Sequence, residues 1–208
     1  MFGAELEFAV PQEWTAAQAA FVLNEPLDTF KKVVERGPVK PRVVRVGGLR
    51  VRKFDLGALV FLQAQGELKA ELTPKGRAEL YAAMTRLPNL DAATEVAFGD
   101  LKFAFGRSLQ TVESRLKELD KLSDEIDATG GEPMIGGTRI EVFRLAALLD
   151  GGMTVEAVLR DYPSLNARQI LAARAYAQIN PKIGRPYPAK TAKAAMRGAG
   201  LDALDGDG

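Results

Sequence analysis

Basic side chains crowded into one short stretch are the residues of this sequence whose type and spacing best suit a binding role. From Pro26 to Leu56 there are nine Lys or Arg against three Asp or Glu, although the 208 residues together carry a net charge of only +1. Ammonium and guanidinium groups form charge-assisted hydrogen bonds with phosphate oxygens. The stretch therefore predicts a surface for a polyanion such as DNA. The candidate contacts are Thr29, Lys31, Lys32, Arg45, Arg50 and Arg52.

The absence of His and Cys excludes several kinds of catalytic chemistry. With neither residue in the chain, imidazole and thiolate metal sites, Cys nucleophiles and Ser–His–Asp relays are all ruled out. No carboxylate pair, glycine-rich phosphate loop or metal-ligand cluster is recognisable in the sequence. We therefore expect no catalytic residues, no metal and no cofactor, and a protein that is not an enzyme.

Two short helices must position the first of the candidate bases. Thr15 and Gln18 form a capping box, which predicts a helix over 16–23. A tight turn follows, and Pro26 can open a second helix that presents Thr29 and its basic neighbours outward. This order is the outline of a helix-turn-helix.

A β-hairpin must position the arginines. Gly47-Gly48 lies between two β-branched runs, which suits a two-residue turn and places Arg45 opposite Arg50 and Val43 opposite Arg52. One face of this ribbon is then apolar and the other holds three arginines. Like charges placed opposite each other destabilise a sheet, which suggests that a polyanion neutralises them. The alternative is a solvated edge protected against aggregation.

The rest of the chain supplies further helices and one more hairpin. We predict helices over 56–65, 74–86 and 108–126, and a hairpin around Gly99 whose Val96, Phe98, Leu101 and Phe103 face a core. Three helices follow residue 141, the last capped by Asn166 and joined to its predecessor by a short turn. Arg168 and Arg174 of that last helix are additional candidate DNA contacts.

These patterns predict a mainly α fold with two short β-hairpins. The N-terminal part is a winged helix-turn-helix and the C-terminal part is a three-helix, helix-turn-helix-like module followed by a flexible tail. The corresponding segments are 11–66, a connecting 67–129, 130–180 and 181–208.

Two families resemble parts of this chain. The order helix, turn, helix, basic hairpin, helix resembles the winged helix-turn-helix of MerR-like and excisionase-like DNA-binding domains. The segments GGEPMIGGTRIEV and GGMTVEAVLRDYPSLNARQILAARAYA closely resemble the family called domain of unknown function 433. Members of that family look like VapB-type antitoxins, the DNA-binding halves of toxin–antitoxin pairs whose toxins are PIN-domain ribonucleases.

The antitoxin resemblance implies a role for the tail. A basic segment can pair with the carboxylates that hold metal in a PIN nuclease. The residues that would bind the toxin are Lys182, Arg185, Pro186, Tyr187 and Lys190. The resemblance also implies operator DNA as a partner and a homodimer, because a palindromic operator requires two-fold symmetry. The alternative is a stand-alone transcription regulator or excisionase-like protein without a toxin.

The location expected from sequence is the cytoplasm. The first residues carry acids where a signal peptide has a basic stretch and an apolar run, and no segment approaches the length of a membrane span. The absence of cysteine fits a reducing compartment. We expect no membrane contact.

Overall fold

The computed structural model of the protein describes residues 12–87, 89–91 and 93–181. The chain divides into two compact units, the first ending at Leu116 and the second beginning at Lys117. The described parts are mainly helical with short antiparallel strand pairs, as the sequence predicts. No helix among the described residues has both the length and the apolar character needed to cross a bilayer.

The first unit begins with two helices that follow a short strand. Its elements to the end of the first sheet are β1 (Trp14–Thr15), α1 (Ala16–Val22), α2 (Leu27–Arg36), β2 (Arg42–Val46) and β3 (Leu49–Phe54). The predicted capping box is present: Gln18 N donates to Thr15 Oγ1 at 3.3 Å, and Thr15 N donates to Gln18 Oε1 at 2.9 Å. Asn24, with a φ of 54°, turns the chain between α1 and α2.

The first hairpin has the predicted register. Arg45 pairs with Arg50 across β2 and β3, and β1 adds a third, antiparallel strand beside β3. Gly47 and Gly48 both have positive φ, as a two-residue hairpin turn of the primed type requires. At the tip, the apolar face is not buried: Val46 and Leu49 are 57% and 62% exposed. The hairpin tip therefore projects from the unit.

Three more helices follow the first hairpin in the first unit. They are α3 (Leu56–Gln63), α4 (Gln65–Glu71) and α5 (Pro74–Met84). Asp55 caps α3 by accepting from Ala58 N at 2.7 Å, and five of the eight residues of α3 are buried. The predicted single helix over 56–65 is wrong at its end, because a separate helix α4 begins at Gln65. Only Leu68 of α4 provides a buried apolar anchor, too weak a pattern to predict a helix.

The second hairpin consists of β4 (Glu95–Phe98) and β5 (Leu101–Ala104). Val96 pairs with Phe103 and Phe98 with Leu101, as predicted. The prediction that this whole face is core is wrong at Leu101, which is 53% exposed. A four-residue strand can bury its base against the unit while its tip remains in solvent.

The second unit is a small three-helix module with its own core. Helix α6 (Gly106–Ser123) contains the division between the units, and it is followed by β6 (Ile126–Asp127), β7 (Met134–Ile135), α7 (Val142–Asp150), α8 (Val155–Asp161) and α9 (Ala167–Ile179). The three predicted helices are present, with the predicted Asn166 capping box on α9. The centre of the core is formed by Ile135, Val142, Leu145, Leu148, Val158, Leu165, Ile170 and Ala173.

Candidate nucleic-acid interface

The candidate contacts on α2 are on its surface. Thr29, Lys31 and Lys32 are all exposed. Lys31 Nζ lies 3.5 Å from Asp28 Oδ1, one helical turn away. Lys32 has no ion pair with any residue that the structure describes, so its charge is available to a ligand.

Arg45 and Arg50 form a pair of exposed cations near the tip of the first hairpin. They oppose each other across β2 and β3, and neither has an acidic partner within the described ranges. Arg52 differs, because its Nη1 lies 3.5 Å from Glu35 Oε1 on α2. Arg45 and Arg50 are therefore the two arginines of the hairpin with no acidic partner among the described residues.

Two contacts place the arginine face of the hairpin beside α2. Arg50, Arg52 and Phe54 alternate on one face of β3. The Phe54 ring packs edge-on against Phe30 of α2, with centroids 5.1 Å apart, and Arg52 reaches Glu35 of the same helix. Arg52 and Phe54 thus hold the inner part of the arginine face against α2.

Arg42, at the start of the hairpin, has a structural partner that the sequence did not reveal. Its Nε donates to Glu13 Oε1 at 2.7 Å, and its Nη2 contacts the second carboxylate oxygen. The hydrogen bond from Arg42 lowers the pKa of Glu13 and in turn raises the pKa of Arg42. This bidentate pair joins β2 to the residue before β1, and it neutralises Arg42 as a phosphate ligand.

The candidate contacts of the second unit also have acidic partners. Arg168 Nε lies 2.9 Å from Glu125 Oε1, and its Nη2 donates to the carbonyl of Lys121 at 3.1 Å. Arg174 Nε lies 3.7 Å from Asp150 Oδ1. By contrast, Arg139 in the loop between β7 and α7 is exposed and pairs with none of the described acids.

The predicted toxin-binding residues lie outside the described residues. These are Lys182, Arg185, Pro186, Tyr187 and Lys190. Among the residues that are described, no group of three or more acidic side chains is arranged to hold a metal ion.

Sequence reasoning missed a groove on the first unit, which we call the basic groove. It measures about 870 Å³ and is lined by residues of α2, the loop after it, α4 and α5. Its basic residues are Lys32, Arg36, Lys40, Lys69 and Arg77, and none of the described residues that line it is acidic. The charge excess between Pro26 and Leu56 includes three of these cations, but only the tertiary structure brings Lys69 and Arg77 beside them.

Part of the second unit is similar in sequence to a known family. Residues 125–177 match the family described as Protein of unknown function (DUF433), and this match covers β6 through most of α9. The chain is also similar to the uncharacterized protein y4eO of Sinorhizobium fredii (strain NBRC 101917 / NGR234), with 44% identity over 59 residues. Those residues are 28% of this chain and 27% of that protein, so the match spans about a quarter of either. No solved structure matches this chain significantly.

Proposed function

We propose that this protein binds duplex DNA through its first unit, using α2 and the first hairpin as a winged helix-turn-helix. The observation that carries the proposal is the exposed pair Arg45 and Arg50, which face each other without an acid beside them. Such a pair is unfavourable in the free protein and becomes favourable when phosphates lie against it.

The position of the pair supports this geometry. In a winged helix-turn-helix the second helix enters the major groove, while neighbouring elements hold the phosphate backbone. The contacts of Phe54 and Arg52 with α2 keep the hairpin at the side of that helix. Thr29, Lys32 and Arg36 are the exposed residues of α2 with no ion-pair partner within the described part of the chain. Thr29 and Lys32, which the sequence also indicates, are the candidates for contacts in the major groove of DNA.

A salt titration tests the proposal. Fluorescence anisotropy of labelled duplex DNA is measured with the wild type and with the Arg45→Gln/Arg50→Gln double variant. Each lost phosphate contact should reduce the slope of log K against log salt by about 0.9, so the double variant should lose up to about 2. The affinity should fall alike on all sequences, because phosphate contacts carry no base information.

The matched control is Lys102→Gln on the second hairpin. Lys102 is an exposed cation of the same unit, 3.7 Å from Glu95, so this variant loses a charge without touching the proposed interface. Its slope should equal that of the wild type. A wild-type affinity that does not change with salt would contradict the proposal.

The wider proposal is that the protein is the antitoxin of a type II toxin–antitoxin pair and represses its own operon. It is supported by the match of residues 125–177 to the DUF433 family and by the resemblance of that family to VapB-type antitoxins. The partner is then a PIN-domain ribonuclease, bound through the segment after residue 181. The stand-alone regulator is the competing proposal, and it requires no such partner.

Co-purification separates these two proposals. The tagged chain is co-expressed with the product of each adjoining gene, with and without residues 181–208. An antitoxin should form a stable complex that needs this segment, and Arg185→Ala should weaken toxin inhibition while DNA binding remains. If the product of neither adjoining gene is captured as a nuclease partner, the stand-alone regulator is favoured.

A further inference from the structure

One polar side chain that lines the basic groove makes no hydrogen bond with a described residue. Gln65, the first residue of α4, is only 7% exposed, yet its side-chain amide makes no hydrogen bond with any described residue. No buried side-chain nitrogen or oxygen among the described residues lacks a partner, so the accessible part of Gln65 includes its amide, which is free to hydrogen-bond a ligand. Gln65 lines the groove, which is where that ligand would be.

The backbone beside Gln65 leaves the amide uncovered. Gly37 follows the end of α2, and a Cβ built on it would lie 3.5 Å from Gln65 Nε2 and 2.8 Å from the carbonyl oxygen of Val33. A side chain at this position would clash with α2 and cover the amide. Glycine therefore keeps the Gln65 donor open to the groove.

The remainder of the groove combines an apolar surface with a cationic rim. Val33, Pro38, Ala78, Tyr81 and Ala82 provide its apolar lining. Arg77 Nη1 is held by the carbonyl of Leu72 at 2.7 Å, and Lys40 Nζ by that of Gly37 at 3.3 Å. Lys32, Arg36 and Lys69 are exposed and have no ion pair within the described ranges.

These features fit a small organic ligand better than a DNA backbone. Sites for small molecules are concave, about 300–1,000 Å³ in volume and mostly apolar, with a few placed polar groups. The basic groove, at about 870 Å³, has this composition. A duplex backbone is polar along its length and could not fill the apolar lining.

We propose that the basic groove binds a small organic anion, with a flat apolar body and two or more phosphate or carboxylate groups. The body lies against the apolar lining and hydrogen-bonds Gln65, while the anionic groups meet the rim cations. Thr29 and Lys32 line the groove and also belong to the proposed DNA interface. Ligand binding therefore competes with DNA binding, a part of the inference that rests on the proposed function.

Calorimetric titration of the full chain without DNA tests the site, with ATP as the probe. ATP has both required features, adenosine has only the flat body, and tripolyphosphate has only the charge. We expect saturable ATP binding with a Kd of about 1 mM or tighter, and binding at least about tenfold weaker for the other two probes. Absence of ATP binding would overturn the proposal.

Three variants assign the binding to this groove. Lys69→Gln and Gln65→Leu should each weaken ATP binding by about tenfold. Lys75→Gln, which removes an exposed cation of α5 that does not line the groove, should leave it unchanged. If Lys69→Gln and Gln65→Leu bind ATP like the wild type, ATP binds elsewhere and the proposal is wrong.

Gln65→Leu also separates ligand binding from a structural role. Because the Gln65 amide makes no hydrogen bond with the described residues, replacing it with an apolar side chain of similar size should not lower the melting temperature. If Gln65 instead supported the fold, the melting temperature would fall along with ATP binding, which would contradict the assignment of its amide to the ligand.

Competition links the groove to DNA. With ATP at about ten times its Kd, the apparent Kd for duplex DNA should rise about tenfold. If ATP binds but DNA does not bind to the protein at all, the proposed function fails while the groove assignment stands. If Lys69→Gln weakens DNA binding and ATP does not bind, the groove is a backbone-contacting surface and the inference is overturned.

Discussion

Arg45 and Arg50 differ from three other cations of the first hairpin and α2 in what surrounds them. Lys31, Arg42 and Arg52 each lie near an acid, and an exposed ion pair of this kind contributes little to stability. It does, however, lower the charge that a polyanion meets. At the scale of single residues, the candidate contacts are distinguished by whether an acid lies beside each cation, and not by how many cations the segment contains.

Tyr81 gives a pH-dependent prediction at the same scale. Burial, and secondarily the charge of Asp55, raise the pKa of Tyr81 to about 12 from 10.0. The neutral phenol is thus favoured in the folded state, so its contribution to stability is complete below pH 10 and is lost as the pH rises toward 12. In an absorbance titration of the four tyrosines, Tyr81→Phe should remove a phase that ionises later than a free tyrosine. If the late phase persists in Tyr81→Phe, that phase does not belong to Tyr81 and the prediction is wrong.

At the scale of elements, Arg168 is placed to attach α9 to the end of α6. It pairs with Glu125 at 2.9 Å and also bonds the Lys121 carbonyl in the last turn of α6, where a cation is favourable. This role competes with the DNA contact expected from its position in the first turn of α9. The same side chain can reach phosphate only by giving up these contacts.

A pair of matched variants measures that attachment. Arg168→Ala should lower the free energy of unfolding by about 1 kcal/mol, since two contacts are lost from a half-exposed site. Arg174→Ala on the same helix loses one contact of 3.7 Å and should change it by at most about 0.5 kcal/mol. Urea unfolding compares the two. Equal losses of unfolding free energy in the two variants would show that Arg168 does not attach α9 to α6.

For the whole molecule, DNA binding as a repressor predicts a two-fold assembly. Helix-turn-helix proteins bind paired half-sites about 34 Å apart through dimers, because operator symmetry mirrors protein symmetry. Light scattering should therefore give twice the 22.5 kDa of one chain at concentrations where DNA binds. A mass of one chain under those conditions would contradict the homodimer, and deletion of 181–208 tests whether that segment is needed for it.

Local patterns in the sequence determined much of this fold. The capping boxes at Thr15 and Asn166 set where α1 and α9 begin, and Gly47-Gly48 set the register that opposes Arg45 to Arg50. Each of these depends on residues within a few positions of one another, since hydrogen bonds to free amides and positive φ are local requirements.

Only the tertiary structure decided which charges remain free and which residues share a cavity. The pairs Arg42–Glu13 and Arg168–Glu125 join residues 29 and 43 positions apart, and Gln65, Lys69 and Arg77 meet α2 only because α4 and α5 pack beside it. Helix α4 was missed for the same reason, because its single buried anchor, Leu68, has no periodic pattern. Residue spacing along one chain indicates which face of an element is buried, but not which distant segment packs against that face.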